Sequence, residues 1–267
     1  MSFLIPFLAK VAIPTTRFCM YILFGTTTSI VWLLHFLRLD KLSEPKRMIL
    51  KIFFWGAIIT IPVFLVEFGG SCLILGGLND ACPIKERVIS PFYISILYWF
   101  LIIAFVEETF KYLVVRGKVL KHNVFDEPVD AMIYMIIAAL GFAALENVLY
   151  LLPPAERIFP FNELFARTIL ISFFRFVGAT FLHALCSGLV GYFLAISICK
   201  AKKSGLTIMG LFIATLLHGL YNFSIMEFEE PLKFIFPIAI LLGLAIFIAF
   251  GFKKLKKMKS TCVLPKK

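Results

Sequence analysis

Charge is scarce in this sequence, and the signatures of familiar soluble hydrolases are missing. Only 16% of the 267 residues are Asp, Glu, Lys or Arg, 61% are hydrophobic, and mean hydropathy is +0.95. A soluble domain is about 45–50% apolar, so the surplus must face lipid. There is no HExxH helix of the common zinc proteases. There is no GxGD, and only Asp130 approaches an apolar run, which argues against a two-aspartate dyad. Ser187-Gly188 lacks the preceding glycine of a GxSxG nucleophile turn. The six cysteines form no CxxC pair, and Cys262 stands in the wrong place for C-terminal prenylation. Cys72 and Cys82 flank one loop and are candidates for a disulfide. Neither a long-period repeat nor a low-complexity linker divides the chain, so residues 1–267 read as a single membrane domain.

Long apolar runs are abundant. About 20 residues cross the hydrocarbon, and seven runs qualify: 18–37, 48–66, 92–115, 130–152, 168–198, 206–225 and 233–252. The fold class expected is therefore an all-α integral membrane protein, a polytopic bundle of about seven transmembrane helices. Residues 2–15, interrupted by Lys10 and two prolines, read as an interfacial lead-in, and an eighth span would have to come from there.

The net charge of +11 would suit nucleic acid if it were clustered in one domain, but its distribution excludes that partner. Of the 27 basic residues, 18 fall in alternate loops and in the basic tail 253–267, whereas the intervening loops are mostly acidic. This positive-inside asymmetry puts the C-terminus in the cytoplasm and the N-terminus outside a cell membrane crossed many times.

With lipid as solvent, an ionisable group in a span costs several kcal/mol and marks a functional site by default. Ten polar residues stand out: Glu107, Glu108, Lys111, Asp130, Glu146, Asn147, Arg175, His183, His218 and Asn222. In AFVEETFKYLVV, Glu107 and Glu108 lie three and four residues before Lys111, so either acid can pair with it on one helix face. Taken alone, this reads equally as an intrahelical salt bridge with a spare acid. In DAMIYMIIAALGFAALENVLYL, Glu146 sits among Gly141, Ala143 and Ala144, small residues that let a neighbouring helix approach. Arg175 and His183 are eight apart, and His218 and Asn222 four apart, each pair on one face. At 1.5 Å per residue, Glu107 and His183 fall roughly 10 Å nearer the basic side than Glu146 and His218. A shift or tilt of the over-long third and fifth spans would bring all four together.

Converging Glu and His in a wet membrane cavity can activate water, by a general base or through a divalent metal. EETFK, DEPVDAMIYMIIAALGFAALENVLYL, the Arg-then-His pattern of the fifth span, and HGLYN together resemble the successive motifs of the PrsW family of intramembrane proteases. They are also similar, more distantly, to the wider CAAX-protease superfamily. The resemblance covers about 90–225 and implies an endopeptidase that cuts a membrane-anchored protein, the familiar substrate being a single-pass anti-sigma factor. By motif position it implies Glu107 as the water-activating base, supported by Glu108 and Lys111, with Glu146, His183 and His218 completing the site. Asn222 would polarise the scissile carbonyl together with His218. Asp130, Asn147 and Arg175 are expected in supporting places. In the wider superfamily the middle motif ends in His where this chain has Glu146, which leaves metal-free and metal-dependent mechanisms both open. A set of Glu107, Glu146, His183 and His218 could hold zinc. Two rival readings also stay open: a catalytically inactive scaffold or receptor, and a proton-coupled transporter using the same carboxylates as a relay.

Overall fold

The computed structural model describes residues 15–39, 44–76, 92–152, 159–200, 204–258 and 262. The lead-in before residue 15, Cys82 with its pairing to Cys72, and most of the tail after 258 lie outside these. The described chain is all-α. Helix α1 spans Thr15–Leu37 and α2 Lys46–Ser71, which runs on through π-helical turns at Cys72–Gly76. Helix α3 (Phe92–Leu97) passes through a π-helical segment, Tyr98–Phe105, into α4 (Val106–Lys118). Then come α5 (Asp130–Leu151), α6 (Phe161–Val177), α7 (Ala179–Cys199), α8 (Ser204–Glu227) and α9 (Leu232–Met258). Taking α3–α4 and α6–α7 each as one stretch, seven are long and apolar enough to cross a membrane.

Helix α5 is the axis of the bundle, buried almost throughout and packed by α1, α2, α4, α6 and α7. Its small residues permit this. A side-chain carbon on Gly141 would collide with the Phe53 carbonyl, and one on Gly56 with the Ala138 carbonyl, so α2 and α5 cross with their backbones touching. At the same crossing Thr60 Oγ1 donates to the Phe142 carbonyl at 3.3 Å. The outer helices turn Leu23, Phe54, Phe174 and Phe250 outwards, as a lipid-facing surface requires. The ends of α7 and α9 are tied by a Cys199–Cys262 disulfide, which spacing alone does not suggest.

Two irregularities position the site. The π-helical segment widens the turn just before Glu107, rotating everything after it relative to an unbroken α-helix. The fifth span, expected as one run over 168–198, is two helices broken at Gly178, whose φ and ψ of −105° and −94° are not helical. A straight helix of its 39 residues would be about 58 Å long, roughly twice the hydrocarbon thickness. Helix α6 instead runs beside α1, where Trp32 Nε1 donates to the Phe176 carbonyl at 2.9 Å and the Trp32 ring stacks on Phe181. Helix α7 then starts afresh, with His183 in its second turn.

Candidate active site

Helical spacing on α4 places Glu107, Glu108 and Lys111 in one buried group. The Lys111 ammonium has three N–H donors, and three acceptors meet it: Glu107 Oε2 at 3.1 Å, Glu108 Oε1 at 2.9 Å and His183 Nδ1 at 2.8 Å. It also sits 4.4 Å above the Phe142 ring of α5. Both acids therefore share the lysine, and the choice left open by their spacing is settled by what else they touch. Glu108 accepts from His218 Nδ1 at 2.9 Å and from Ser187 Oγ at 2.9 Å, which leaves little of it uncommitted. Glu107 lines the cavity described below.

His183 bridges α4 and α5. Because Nδ1 accepts from Lys111, the proton belongs on Nε2, which donates to Glu146 Oε2 at 2.9 Å. Glu146 is held in turn by Arg175 Nη2 at 2.7 Å, and Arg175 Nε donates to Asn147 Oδ1. The Asn147 amide donates to Thr28 Oγ1 at 2.7 Å and Thr180 Oγ1 at 3.0 Å, tying α1 and α7 into the same network. The Arg175 guanidinium also lies 4.0 Å from the Tyr150 ring centre. Glu146 thus fixes the tautomer and direction of His183, as carboxylates do for functional imidazoles. His218 stands edge-on to His183, ring centres 5.0 Å apart. His218 gives its Nδ1–H to Glu108 and sets Nε2 4.0 Å from Glu107 Oε2.

The break at Gly178 and the π-helical segment together close the 10 Å depth mismatch counted along straight helices. Glu107, Glu108, Lys111, Glu146, Asn147, Arg175, His183 and His218 fall in one connected network. Asn222 lines the same cavity one helical turn beyond His218. Asp130 is elsewhere: its carboxylate accepts the backbone N–H groups of Asp126 and Glu127 at 2.9 and 2.8 Å, at the start of α5. Three residues go beyond the sequence-derived set: Ser187, Tyr150 and Glu67. Ser187 read as a small packing residue. Glu67 lies one residue past the apolar run 48–66 and so passed for a boundary group, yet it is only 4% exposed and lines the cavity.

That cavity has a volume of about 640 Å³ and is walled mainly by aromatic and aliphatic side chains, Phe64, Trp99 and Leu241 among them. Its polar lining includes Glu67, Glu107, Glu146, Arg175, His183, His218 and Asn222. Glu107, Glu108, His183 and His218 each offer one ligand atom, and these atoms lie within 4.8 Å of one another. Tetrahedral zinc with N/O ligands sets them about 3.4 Å apart, and the Lys111 ammonium already meets three of the four residues, so the set would take a divalent ion only with Lys111 drawn aside. The group includes Glu108 where the expected set had Glu146, which instead pairs with Arg175 and His183.

A family described as PrsW family intramembrane metalloprotease matches residues 44–250, most of the chain. This chain belongs to the PrsW family. Curated PrsW relatives are similar along nearly their whole length. Protease PrsW of Bacillus subtilis is 28% identical over 240 residues, 88% of this chain and 94% of the relative. Protease PrsW of Oceanobacillus iheyensis is 29% identical over 220 residues, covering 82% and 88%. Protease PrsW of Geobacillus kaustophilus is 28% identical over 208 residues, covering 77% and 80%. No solved structure matches the chain. PrsW proteins are hydrolases of peptide bonds, so the class of enzyme is a membrane peptidase with a protein substrate. The match begins at residue 44 and so includes α2, beyond the motif-bearing segment 90–225.

Proposed function

We propose that this chain hydrolyses a peptide bond in the membrane anchor of a single-pass protein, with a regulator of the anti-sigma type as the natural candidate. The observation that carries the reading is Glu107: a carboxylate paired with Lys111, facing a mainly apolar cavity inside a helical bundle, with two histidines beside it. In that cavity Glu107 takes a proton from water, and the water oxygen attacks the scissile carbonyl carbon. Lys111 pairs with both Glu107 and Glu108, and Glu108 holds His218 through its Nδ1–H. Glu146, braced by Arg175, holds His183. The Asn222 amide donates to the carbonyl oxygen as negative charge grows on it. With Lys111 drawn aside, Glu107, Glu108, His183 and His218 would hold a divalent metal, zinc by ligand type, which would polarise the carbonyl and acidify water. The aromatic wall suits an apolar segment unwound from a transmembrane helix.

By the positive-inside rule the basic α7–α8 connection and the C-terminal tail would lie in the cytoplasm, with the N-terminus outside. The Cys199–Cys262 bond would then be reduced in growing cells and form on exposure to air. Co-expression of Glu107→Gln with an epitope-tagged single-pass substrate tests the function. Cleavage should vanish while the membrane level of the protein stays constant; continued cleavage would remove Glu107 from the mechanism.

A further inference from the structure

Helix α9 is packed on α7 over only part of its length. Its second half is closed: Ile248 presses on Gly188, and the Phe247 and Tyr192 rings meet edge to face at 5.1 Å. Its first half faces the cavity instead, with Lys233, Phe234, Pro237, Ile238 and Leu241 in the wall. Across the cavity stand Phe174 and Val177, at the end of α6 just before the break at Gly178. Helix α9 packs on α7 and α8, and among the described residues it shares no packed face with α6. Phe174 is 61% exposed and Ile238 57%, although both line the cavity. The cavity is therefore open on its side, towards lipid, between α6 and the first half of α9.

A side opening decides what can enter. A helix already in the bilayer reaches it by moving sideways in the membrane, and the rims it meets are aromatic and aliphatic, as its own surface is. From Lys233 to Leu241 is eight residues of α9, about 12 Å, less than half the hydrocarbon thickness. The opening thus admits part of a transmembrane segment, and Glu107 lies in the wall of the same space.

Lys233 marks one end of it. A lysine at a helix end generally reaches for water, but this one is half-buried in the cavity wall. Its ammonium has no ion pair or hydrogen bond among the described residues, although Glu229 and Glu230 precede it in the same turn. The nearby Glu227 accepts from Trp99 Nε1 at 3.2 Å. Arg175, the other cation in the wall, is committed to Glu146 and Asn147. Among the described residues of the wall, Lys233 alone is a cation with donors to spare.

Resting on the peptidase reading of this same site, we propose that the opening between α6 and the first half of α9 is the docking surface for the substrate's transmembrane segment, and that Lys233 holds an acidic side chain at that segment's flank. The pair sets how far along its own axis the segment slides before a peptide bond faces Glu107. Lys233 therefore selects substrate and register and takes no part in the chemistry.

The test uses full-length Glu107→Gln protein in lipid nanodiscs and synthetic peptides with a Leu/Ala segment of about twenty residues. The peptides carry Asp, Asn or Lys at both flanks, so that insertion in either direction presents the same charge. Benzoylphenylalanine installed at Phe174 or at Ile238 should crosslink the Asp peptide on illumination. The same group at Phe54 or Phe250, which face lipid away from the cavity, should give no crosslink above background. In fluorescence titrations the Asp peptide should bind about fivefold tighter than the Asn peptide, the upper range for a partly exposed ion pair, and the Lys peptide weaker still. Lys233→Glu should reverse that order and Lys233→Gln should erase it, whereas Lys257→Glu, exposed at the far end of α9, should keep it. Equal crosslinking at all four positions overturns the docking surface, as does capture of lipid alone at Phe174 and Ile238. An Asp preference that survives Lys233→Gln overturns the role of Lys233, and that variant decides alone should Lys233→Glu fail to fold. The peptidase reading fails separately: cleavage that persists in Glu107→Gln removes the mechanism, whereas lost cleavage with indifferent peptides sinks the docking surface alone.

Discussion

The two halves of α5 are almost equally buried and could hardly be used more differently. The first, from Asp130 to Leu140, is packed among Leu185, Val190 and Ile248, and its polar groups are settled nearby. Asp130 accepts two backbone N–H groups just ahead of the helix, and Tyr134 donates to Glu44. The second half carries Glu146 and Asn147 into a charge network drawn from α1, α4, α6 and α7, with a 640 Å³ cavity alongside. Burial alone therefore does not mark a site. What separates the halves is whether the buried polar groups are settled in a closed cluster at the helix start or in a network of several helices around open space.

Mutations should widen or blur that contrast in a definite order. The largest effect belongs to Glu107→Gln, with substrate cleavage in membranes falling by at least about a hundredfold, the scale of a lost general base. Next comes Arg175→Ala, which strands Glu146 without its guanidinium. Removing one partner of a buried pair costs about 3–5 kcal/mol, and because Arg175 keeps some exposure the lower end applies. Cleavage should drop between about 10- and 100-fold, and Arg175→Lys should recover part of it; a wild-type rate in Arg175→Ala would detach the Glu146–His183 arm from catalysis. Gly141→Ala drives a methyl group into the α2 backbone. It should destabilise the protein by about 1–3 kcal/mol in thermal unfolding, and lower cleavage per cell only as far as it lowers the amount of folded protein. Smallest is Asp130→Asn, which keeps an acceptor for the Asp126 and Glu127 amides. Its cleavage rate per folded molecule should stay within about twofold of wild type, since its role is local structure costing about 1 kcal/mol. A hundredfold loss would make the two halves of α5 one functional unit.

Much of the chemistry was legible in the sequence because lipid makes ionisable residues conspicuous. Glu107, Glu108 and Lys111 announce themselves inside AFVEETFKYLVV, and the i,i+3 and i,i+4 spacings hold in the structure. Glu146, His183 and His218 stand out for the same reason. Asp130 was conspicuous too, yet its carboxylate takes the backbone N–H groups just ahead of the helix, and polarity in an apolar run cannot tell a cap from a catalyst. Glu67 escaped because a lone acid at the edge of a hydrophobic run looks like the point where a helix leaves the membrane. Ser187 escaped because a serine among glycines resembles a packing surface, and only the approach of α4 gives it the Glu108 carboxylate to hold.

The sequence by itself determined the membrane setting, the seven spans and the kinds of side chain available for chemistry, because apolar length and charge are local properties of the chain. Tertiary structure decided which groups meet. Depth counted along straight helices left Glu107 and His183 about 10 Å from Glu146 and His218, and that error lay in the straightness. A π-helical turn before Glu107 and a broken helix at Gly178 arise from packing between helices, Phe100 against Gly219 and Trp32 against Phe176 and Phe181. No pattern within one span records such contacts, so convergence of the carboxylates and histidines was permitted by the sequence and made by the bundle.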